Sequence, residues 1–549
     1  MDFKKEIINL LKKEKIPIEL LQAPPNPEMG DYALPCFPLA KQLKKSPVEI
    51  AKTLQPKFKA KFLEKVEANG PYLNFYINKE IYNKTIIESK TKKNKINKSI
   101  VIDFSSPNVM KPFGLAHLRS TMIGNSIHLL HKHLGYKVIR VNHLGDWGTQ
   151  FGKMIYAYLE WGNPKDIEKE PIKNMLKLYV KYHKEAEKDS SLDDKARKIF
   201  ADLESGNKKY RSLWKKFRDL SLKEYDKTYK RLNVSFDSFS GEAFYEPMLK
   251  DTISLLKKNK LLEESEGALI VNLDKYNLAP CLIQKSDGAT IYATRDIAAA
   301  IYRKKEYNFH KNIYVTDNRQ NLHFQQFFKV LELAKLSWAK DCIHIPFGIM
   351  KFNDGIMSTR KGKVIFLEEV LDKSVDKVKK IIKEKNPKLK NKDKIAEQIG
   401  IGAIIFWDLS HDRVKDIQFE WDLILDFSGE TGPYIQYTYA RASSILRKAK
   451  NKSKPSYEKL TNPKEAELIK LISDFESTIE NAAQQYKPSV LAKYLLSIAQ
   501  RFNEFYQSCP VLNEEDKSLA KARLNLISKT REILKEGLSL LAISTPEEM

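Results

Sequence analysis

Three side chains suited to anion binding, Asn108, Lys111 and His117, lie close together in the stretch SPNVMKPFGLAHLRS, residues 106–120. The apolar run Ile100-Val101-Ile102-Asp103-Phe104 precedes it and helical spacing follows. A strand that hands over to a helix leaves the first helical N–H groups unpaired, and the macrodipole adds roughly half a positive charge there. A phosphate is the expected guest. Gly114 and Ala116 keep bulk away from the first turn, and no P-loop or Gly-x-Gly-x-x-Gly cradle is present. Local pattern alone also fits an ordinary loop marked by Pro107 and Pro112, with His117 as a cap or core histidine.

Other chemistry-bearing groups read more plainly. His143, Asp146 and Trp147 in NHLGDWG invite a metal or general-base role, but a strand end closed by Gly145 and Gly148 uses such groups to fix a turn. His128, His131 and His133, with Lys132 among them, are expected on a solvated helix face. Cys36, Cys281, Cys342 and Cys509 form no Cys-x-x-Cys pair, which argues against a zinc knuckle or a disulfide framework and for a reducing cytosol.

The elements that must position these groups follow from periodicity. A first unit, residues 1–90, has helical patterns at 2–21 and 47–54 and a strand at 72–77, and reads as a small α+β domain ending in the basic linker 92–98. Residues 99–422 alternate strand and helix: strands at 100–104, 137–142 and 313–316, helices at 115–134, 148–161 and 321–335. That alternation predicts an α/β, Rossmann-like parallel sheet, interrupted by a charged helical insertion at about 165–260. Residues 423–549 carry only helical spacing and predict an α-helical bundle.

With 549 residues, roughly three domains are expected. A formal charge of +25 makes attraction to RNA, DNA or an acidic membrane plausible, although Lys and Asn abound along the whole chain and charge alone decides little. The longest apolar stretch, 399–407, is well short of the ~20 residues that span a bilayer, and the N-terminus lacks a signal-peptide pattern. A cytoplasmic protein without membrane partners is expected.

The stretch SPNVMKPFGLAHLRSTMIGNSI, followed by VNHLGDWGTQFG, resembles the nucleotide-binding signature of class I aminoacyl-tRNA synthetases in the version of the arginyl-tRNA synthetase family. In the same order as in that family come MGDYALPCFPLAK and NGPYLNFYIN near the N-terminus, then YATRDIAAAIYR, YVTDNRQNLHFQQFF and GIMSTRKGKVIFLEEVL. SGETGPYIQYTYARASSILRKA and GLSLLAISTPEEM complete the series. The resemblance implies a ligase that joins arginine to ATP's α-phosphate, releases pyrophosphate and passes arginine to the terminal adenosine of tRNA(Arg). Its implied partners are tRNA(Arg), L-arginine and ATP, with Mg²⁺ carried by ATP, no zinc, and a monomeric chain. The resemblance further suggests that arginine activation needs tRNA. A catalytically silent RNA-binding relative, or a synthetase for another amino acid, remain the alternatives.

Residue roles follow from the same resemblance. The generic His-x-Gly-His box falls on Gly114, Leu115, Ala116 and His117, so its first His is missing. The KMSKS signature falls on Ile356-Met357-Ser358-Thr359-Arg360, without its lysines. Lys111 and His117 are the implied catalytic pair, and Gly114, His117, Met357, Ser358, Arg360 and Lys361 the ATP-binding set. For arginine, a carboxylate suits the planar guanidinium. Asp296 is the candidate, with Tyr292 four residues earlier on the same helical face and Gln320 supplying an amide. Asp103, Ser106, Pro107, Asn108 and His117 are placed at the α-ammonium end. A plainer alternative pairs Asp296 with Arg295 or Arg303 on a helix surface. Tyr434, Gln436, Tyr437, Tyr439 and Arg441 suit base stacking and reading, although tyrosines at helical spacing are commonly core.

Overall fold

The computed structural model describes residues 3–24, 26, 29–90, 95–351 and 366–549. It divides into two compact units. One comprises Met1–Lys92, Arg441–Phe475 and Ile498–Ile533, the other Lys93–Ala440, Glu476–Ser497 and Leu534–Met549.

In the first unit, strands Tyr32–Pro35, Tyr72–Ile77 and Leu63–Asn69 form an antiparallel sheet in that order. Its core gathers Phe3, Ile7 and Leu11 from the N-terminal helix with Ile50, Leu54, Phe58 and Phe75. Helix Pro47–Leu54 starts at Ser46 with a capping box, as the Ser-x-x-Glu spacing dictates. Within this unit the α+β part is tied to helical segments from the C-terminal region: Asn83 donates to the Tyr457 carbonyl at 3.2 Å and Lys529 to the Ser89 carbonyl at 2.8 Å.

The second unit is built on a parallel sheet. Its elements in chain order are β1 (Ser99–Asp103), α1 (Leu115–His133), β2 (Lys137–Val141), α2 (Thr149–Trp161) and α3 (Lys208–Arg231). They are followed by α4 (Tyr292–Tyr307), β3 (Lys311–Asp317), α5 (Asn321–Leu333), β4 (Cys342–Phe347) and α6 (Lys392–Ser410). The sheet order is β4-β3-β1-β2, every pairing parallel. Ile100, Val101 and Ile102 are buried on both faces of the central strand, as a β-branched run between crossover helices requires. Helices fill residues 164–258 between α2 and the returning chain. A three-stranded antiparallel sheet, Leu262–Ser265, Ala268–Val271 and Cys281–Gln284, follows them and was not anticipated from the sequence. Its first hairpin turns through Glu266 and Gly267, both at positive φ, the combination that matches strand twist.

Helix α1 is buried nearly all round, which corrects the expected solvated histidine face. His128 and His131 are buried, and His133 is screened between Glu476 at 3.1 Å and Glu536 at 3.4 Å. The reason is its central place: one side lies on the sheet, where Gly124 lets the backbone approach Phe104, while the Ser126 hydroxyl donates to the Leu540 carbonyl.

Arg119 of α1 is fully buried and organises the strand exits. Its Nε donates to Asp408 of α6 at 2.8 Å, and its other nitrogens donate to the carbonyls of Gly348, Lys415 and Arg413. The chain leaving β4 is thereby fastened to the signature helix.

Candidate functional site

Strand β1 lies between β2 and β3, so the chain leaves it and β3 toward opposite sides, and the crevice at their carboxyl ends is the place where ligands bind such sheets. The loop from Phe104 to Gly114 fills the rim of that crevice. Ser105, Ser106 and Met110 have φ of 72, 46 and 67°, conformations that cost about 1–3 kcal/mol each and persist only where surroundings enforce them. Ser105 N–H donates to Ser120 Oγ at 2.9 Å, and Ser105 Oγ lies 2.8 Å from the Tyr229 hydroxyl. Ser106 N–H donates to Asn142 Oδ1 at 3.1 Å, and Met110 N–H to Ser221 Oγ at 3.1 Å. The Tyr225 hydroxyl donates to the carbonyls of Asn108 and Lys111, at 2.8 and 2.6 Å.

Ser221, Tyr225 and Tyr229 repeat every fourth residue and therefore share one face of α3. The long insertion helix thus clamps the loop. Burial pushes both tyrosine hydroxyls well above their usual range and keeps them protonated donors. Gly145 brings the NHLGDWG turn against the loop. Any Cβ there would lie 2.0 Å from Asn108 Oδ1. Asp146 fixes this turn rather than a metal, accepting from Ala243 N–H at 2.9 Å and Arg218 Nε at 3.0 Å.

His117 occupies the third position of α1, and its Nδ1 accepts the Gly114 N–H at 3.1 Å. The neutral ring then carries its proton on Nε2 and is a directional donor. Burial pushes its pKa down to about 4, and Lys111's charge adds to the depression. Lys111 Nζ lies 5.8 Å over the Tyr179 ring. Met357, Ser358, Arg360 and Lys361 lie outside the described residues.

The acidic candidates come from two elements, β1 and α4. Asp103, at the end of β1, accepts from Ser106 Oγ at 2.9 Å and from Arg303 Nη2 at 2.7 Å, in a buried ion pair. Pro107 is buried and Asn108 exposed. Arg295 pairs with Glu246 at 2.7 Å. Neither arginine therefore neutralises Asp296, as the surface-pair alternative would have required. Asp296 instead accepts from His323 Nε2 at 2.7 Å and keeps 24% of its side chain exposed. Burial raises its pKa, but the His323 hydrogen bond, with His143 and Arg303 nearby, outweighs that and holds the carboxyl below its usual range. Tyr292 is 58% exposed, with its ring 4.8 Å from that of His323. Gln320 is exposed at the start of α5.

His143 lies against Arg303 and Tyr245. Its Nδ1 accepts from Arg303 Nη2 at 3.1 Å, its ring stacks on Tyr245, and the charges of Asp103, Arg303 and Asp296 all act on it. Burial pushes Glu242 up to about 7, with Asp296 and Asp146 adding to the rise and Arg295 opposing it. Sequence inspection missed Glu242, His323 and Arg303 as site residues. Two had a local signal: His323 falls three residues after Gln320 within YVTDNRQNLHFQQFF, and Arg303 seven residues after Asp296 within YATRDIAAAIYR. Among the described residues, no group of three or more His, Cys, Asp or Glu could hold a metal, and no helix is long and apolar enough to cross a membrane.

In the C-terminal region, Gln436 is buried, donating to the carbonyls of Gln398 and Ser544, and buried Tyr439 donates to Glu547. Neither presents its polar end to a base. Tyr437 is 40% exposed.

Comparison with known proteins gives the following matches. Residues 80–421 match the family described as tRNA synthetases class I (R), catalytic domain. Residues 435–549 match the DALR anticodon binding domain, and residues 2–77 the arginyl tRNA synthetase N terminal domain. The chain is 47% identical to an arginine–tRNA ligase of Halothermothrix orenii and 48% identical to one of Clostridium kluyveri, each over 100% of both chains. Among solved structures, the arginyl-tRNA synthetase of Thermus thermophilus superposes with a TM-score of 0.82 at 26% identity, over 100% of this chain and 99% of that one. That of Plasmodium falciparum gives 0.76 at 25% identity, over the same shares of the two chains.

Proposed function

The chain belongs to the class I arginyl-tRNA synthetase family and, as an ATP-dependent ligase, charges tRNA with arginine; from that premise we propose which residues do so. The observation that carries the assignment is an ionised, partly exposed Asp296 in the same unit as the strained loop after β1, at the switch point of one sheet.

The guanidinium binds at Asp296, with Tyr292 as a wall, Gln320 as an amide and Glu242 as a second acid. At the other end of the amino acid, Asp103, Ser106, Pro107 and Asn108 hold the α-ammonium, and His117 faces the carboxylate. ATP lies along Gly114 and the first turn of α1. Lys111 and neutral His117 then offset charge developing at the α-phosphorus as the arginine carboxylate attacks and pyrophosphate leaves. Met357, Ser358, Arg360 and Lys361 belong to the same phosphate set. Mg²⁺ arrives with ATP and is held by phosphate and water oxygens. In the second step a ribose hydroxyl of tRNA attacks the activated carbonyl and AMP leaves.

Residues 1–90 and 423–549 serve tRNA binding and 99–422 the chemistry, in a monomeric cytoplasmic chain. Steady-state charging with a panel of amino acids tests the assignment. Arginine alone should be transferred, and ATP–pyrophosphate exchange should be negligible without tRNA. Tight tRNA binding with no charging would favour a silent relative, and charging with another amino acid a different synthetase.

A further inference from the structure

Asp296 is the proposed guanidinium ligand, yet a carboxylate on a helix face can rotate about its last bond, and a rotated one would present the wrong edge to a planar fork. One side chain stops that rotation. His323 Nε2 lies 2.7 Å from Asp296 Oδ2, and because the ionised carboxylate can only accept, the imidazole donates. This is the only side-chain hydrogen bond to Asp296 among the described residues, and it leaves Oδ1 available. The imidazole is itself held by rings. Phe327 lies parallel to it at 6.1 Å and 8°, and Phe324 meets it at 5.2 Å. Tyr292 meets it edge-on at 4.8 Å and 70°. His323 therefore touches two of the residues proposed to line the guanidinium pocket, Asp296 and Tyr292, and it comes from α5, a different helix from theirs.

We infer that His323 is a positioning residue for arginine selection: its Nε2–H fixes the Asp296 carboxylate in the orientation that meets the guanidinium, and its ring supports Tyr292. The inference rests on the assignment of Asp296 as the guanidinium ligand. His323 orders one oxygen of the acid through a single N–H and leaves the other open to the guanidinium.

The test compares His323→Phe, His323→Gln and Asp296→Asn in steady-state tRNA charging, with KM measured separately for arginine and ATP and with thermal melting of each variant. His323→Phe keeps the aromatic packing and removes the donor. It should raise the arginine KM about 10- to 100-fold, the range for losing a hydrogen bond to a charged group, while the ATP KM and the melting temperature stay unchanged. His323→Gln, whose amide nitrogen can donate from a similar position, should bring the arginine KM back to within a few-fold of the parent. Should the Phe variant not fold, His323→Asn, which shortens the reach of the donor, carries the same expectation.

An unchanged arginine KM in His323→Phe would overturn the inference. So would a joint rise of both KM values with a lowered melting temperature and no rescue by Gln, the mark of a merely structural role. Asp296→Asn separates the two ideas. If it raises the arginine KM while His323→Phe does not, only the role of His323 fails. If Asp296→Asn also leaves the arginine KM unchanged, the guanidinium assignment itself fails.

Discussion

The loop between Asp103 and His117 is held from three sides, by Ser120 of α1, Asn142 after β2 and Tyr229 of α3, whereas on α4 Asp296 rests on one hydrogen bond and Tyr292 projects largely into solvent. The contrast follows from what each end must do. Phosphoryl chemistry without a covalent enzyme intermediate depends on placement, so backbone strain at Ser105, Ser106 and Met110 is held by surrounding bonds. Recognition of a guanidinium depends on acceptors left open, so the acid must stay ionised and incompletely paired. A framework and a receptor thus share one crevice, and perturbing them should give different kinetic signatures.

The largest effect is expected on the framework. Arg119→Leu leaves Asp408 buried without its partner and should lower the unfolding free energy by about 3–5 kcal/mol in urea titrations. A loss within the noise of that measurement would show that the pair is dispensable. On the receptor side, Asp296→Asn keeps the shape and removes the counter-charge. Arginine recognition should weaken by about 2–5 kcal/mol, read in the arginine KM, with urea stability unaltered. An unaltered KM would break the comparison at its open end.

Smaller effects sharpen it. Tyr229→Phe deletes the hydroxyl that meets Ser105 and Asn142, and about 1–3 kcal/mol should be lost. The loss should appear in kcat, measured at saturating arginine, and not in the arginine KM; the reverse pattern would place the loop in recognition instead. A further effect concerns pH and is read as a slope. The folded pKa of His117 is depressed from 6.5 to about 4, so well above pH 6.5 it contributes no proton uptake on unfolding. As pH falls below about 6.5 the unfolded chain binds a proton that the native ring refuses. Stability therefore declines by up to about 1.4 kcal/mol per pH unit until the folded pKa is reached. In His117→Gln the slope of unfolding free energy against pH over that window should be shallower by about one proton.

Three of the four parallel strands were legible because Ile100-Val101-Ile102 and the run around Tyr314 are apolar and β-branched or aromatic, and 3.6-residue spacing marked the helices between them; the edge strand β4 was not read from the sequence. The antiparallel strands of residues 262–284 escaped notice. Each has only four residues, and Leu262–Ser265 carries two glutamates on an exposed edge. Within the site, Asp296 and Tyr292 could be paired from their four-residue separation on one helix. His323 and Glu242 could not, because each reaches the crevice from a separate element and no local period records that meeting; Arg303 shares α4 with Asp296, but its turn to Asp103 of β1 is equally unrecorded in local spacing.

The three histidines of α1 make the same point in reverse. Alternation with a lysine suggested a wet face, but the helix passes through the middle of its unit, and neighbours distant in sequence cover it.

The amino-acid sequence by itself determined the principal helices, the parallel architecture and the family, since those rest on local periodicity and on motifs in a set order. Only the tertiary structure decided which charges are neutralised and which stay open. Arg303 turns to Asp103, Arg295 turns to Glu246, and Asp296 is left to His323. Ion pairing is settled by distance in space, and distances between groups on different elements exist only once the chain has folded.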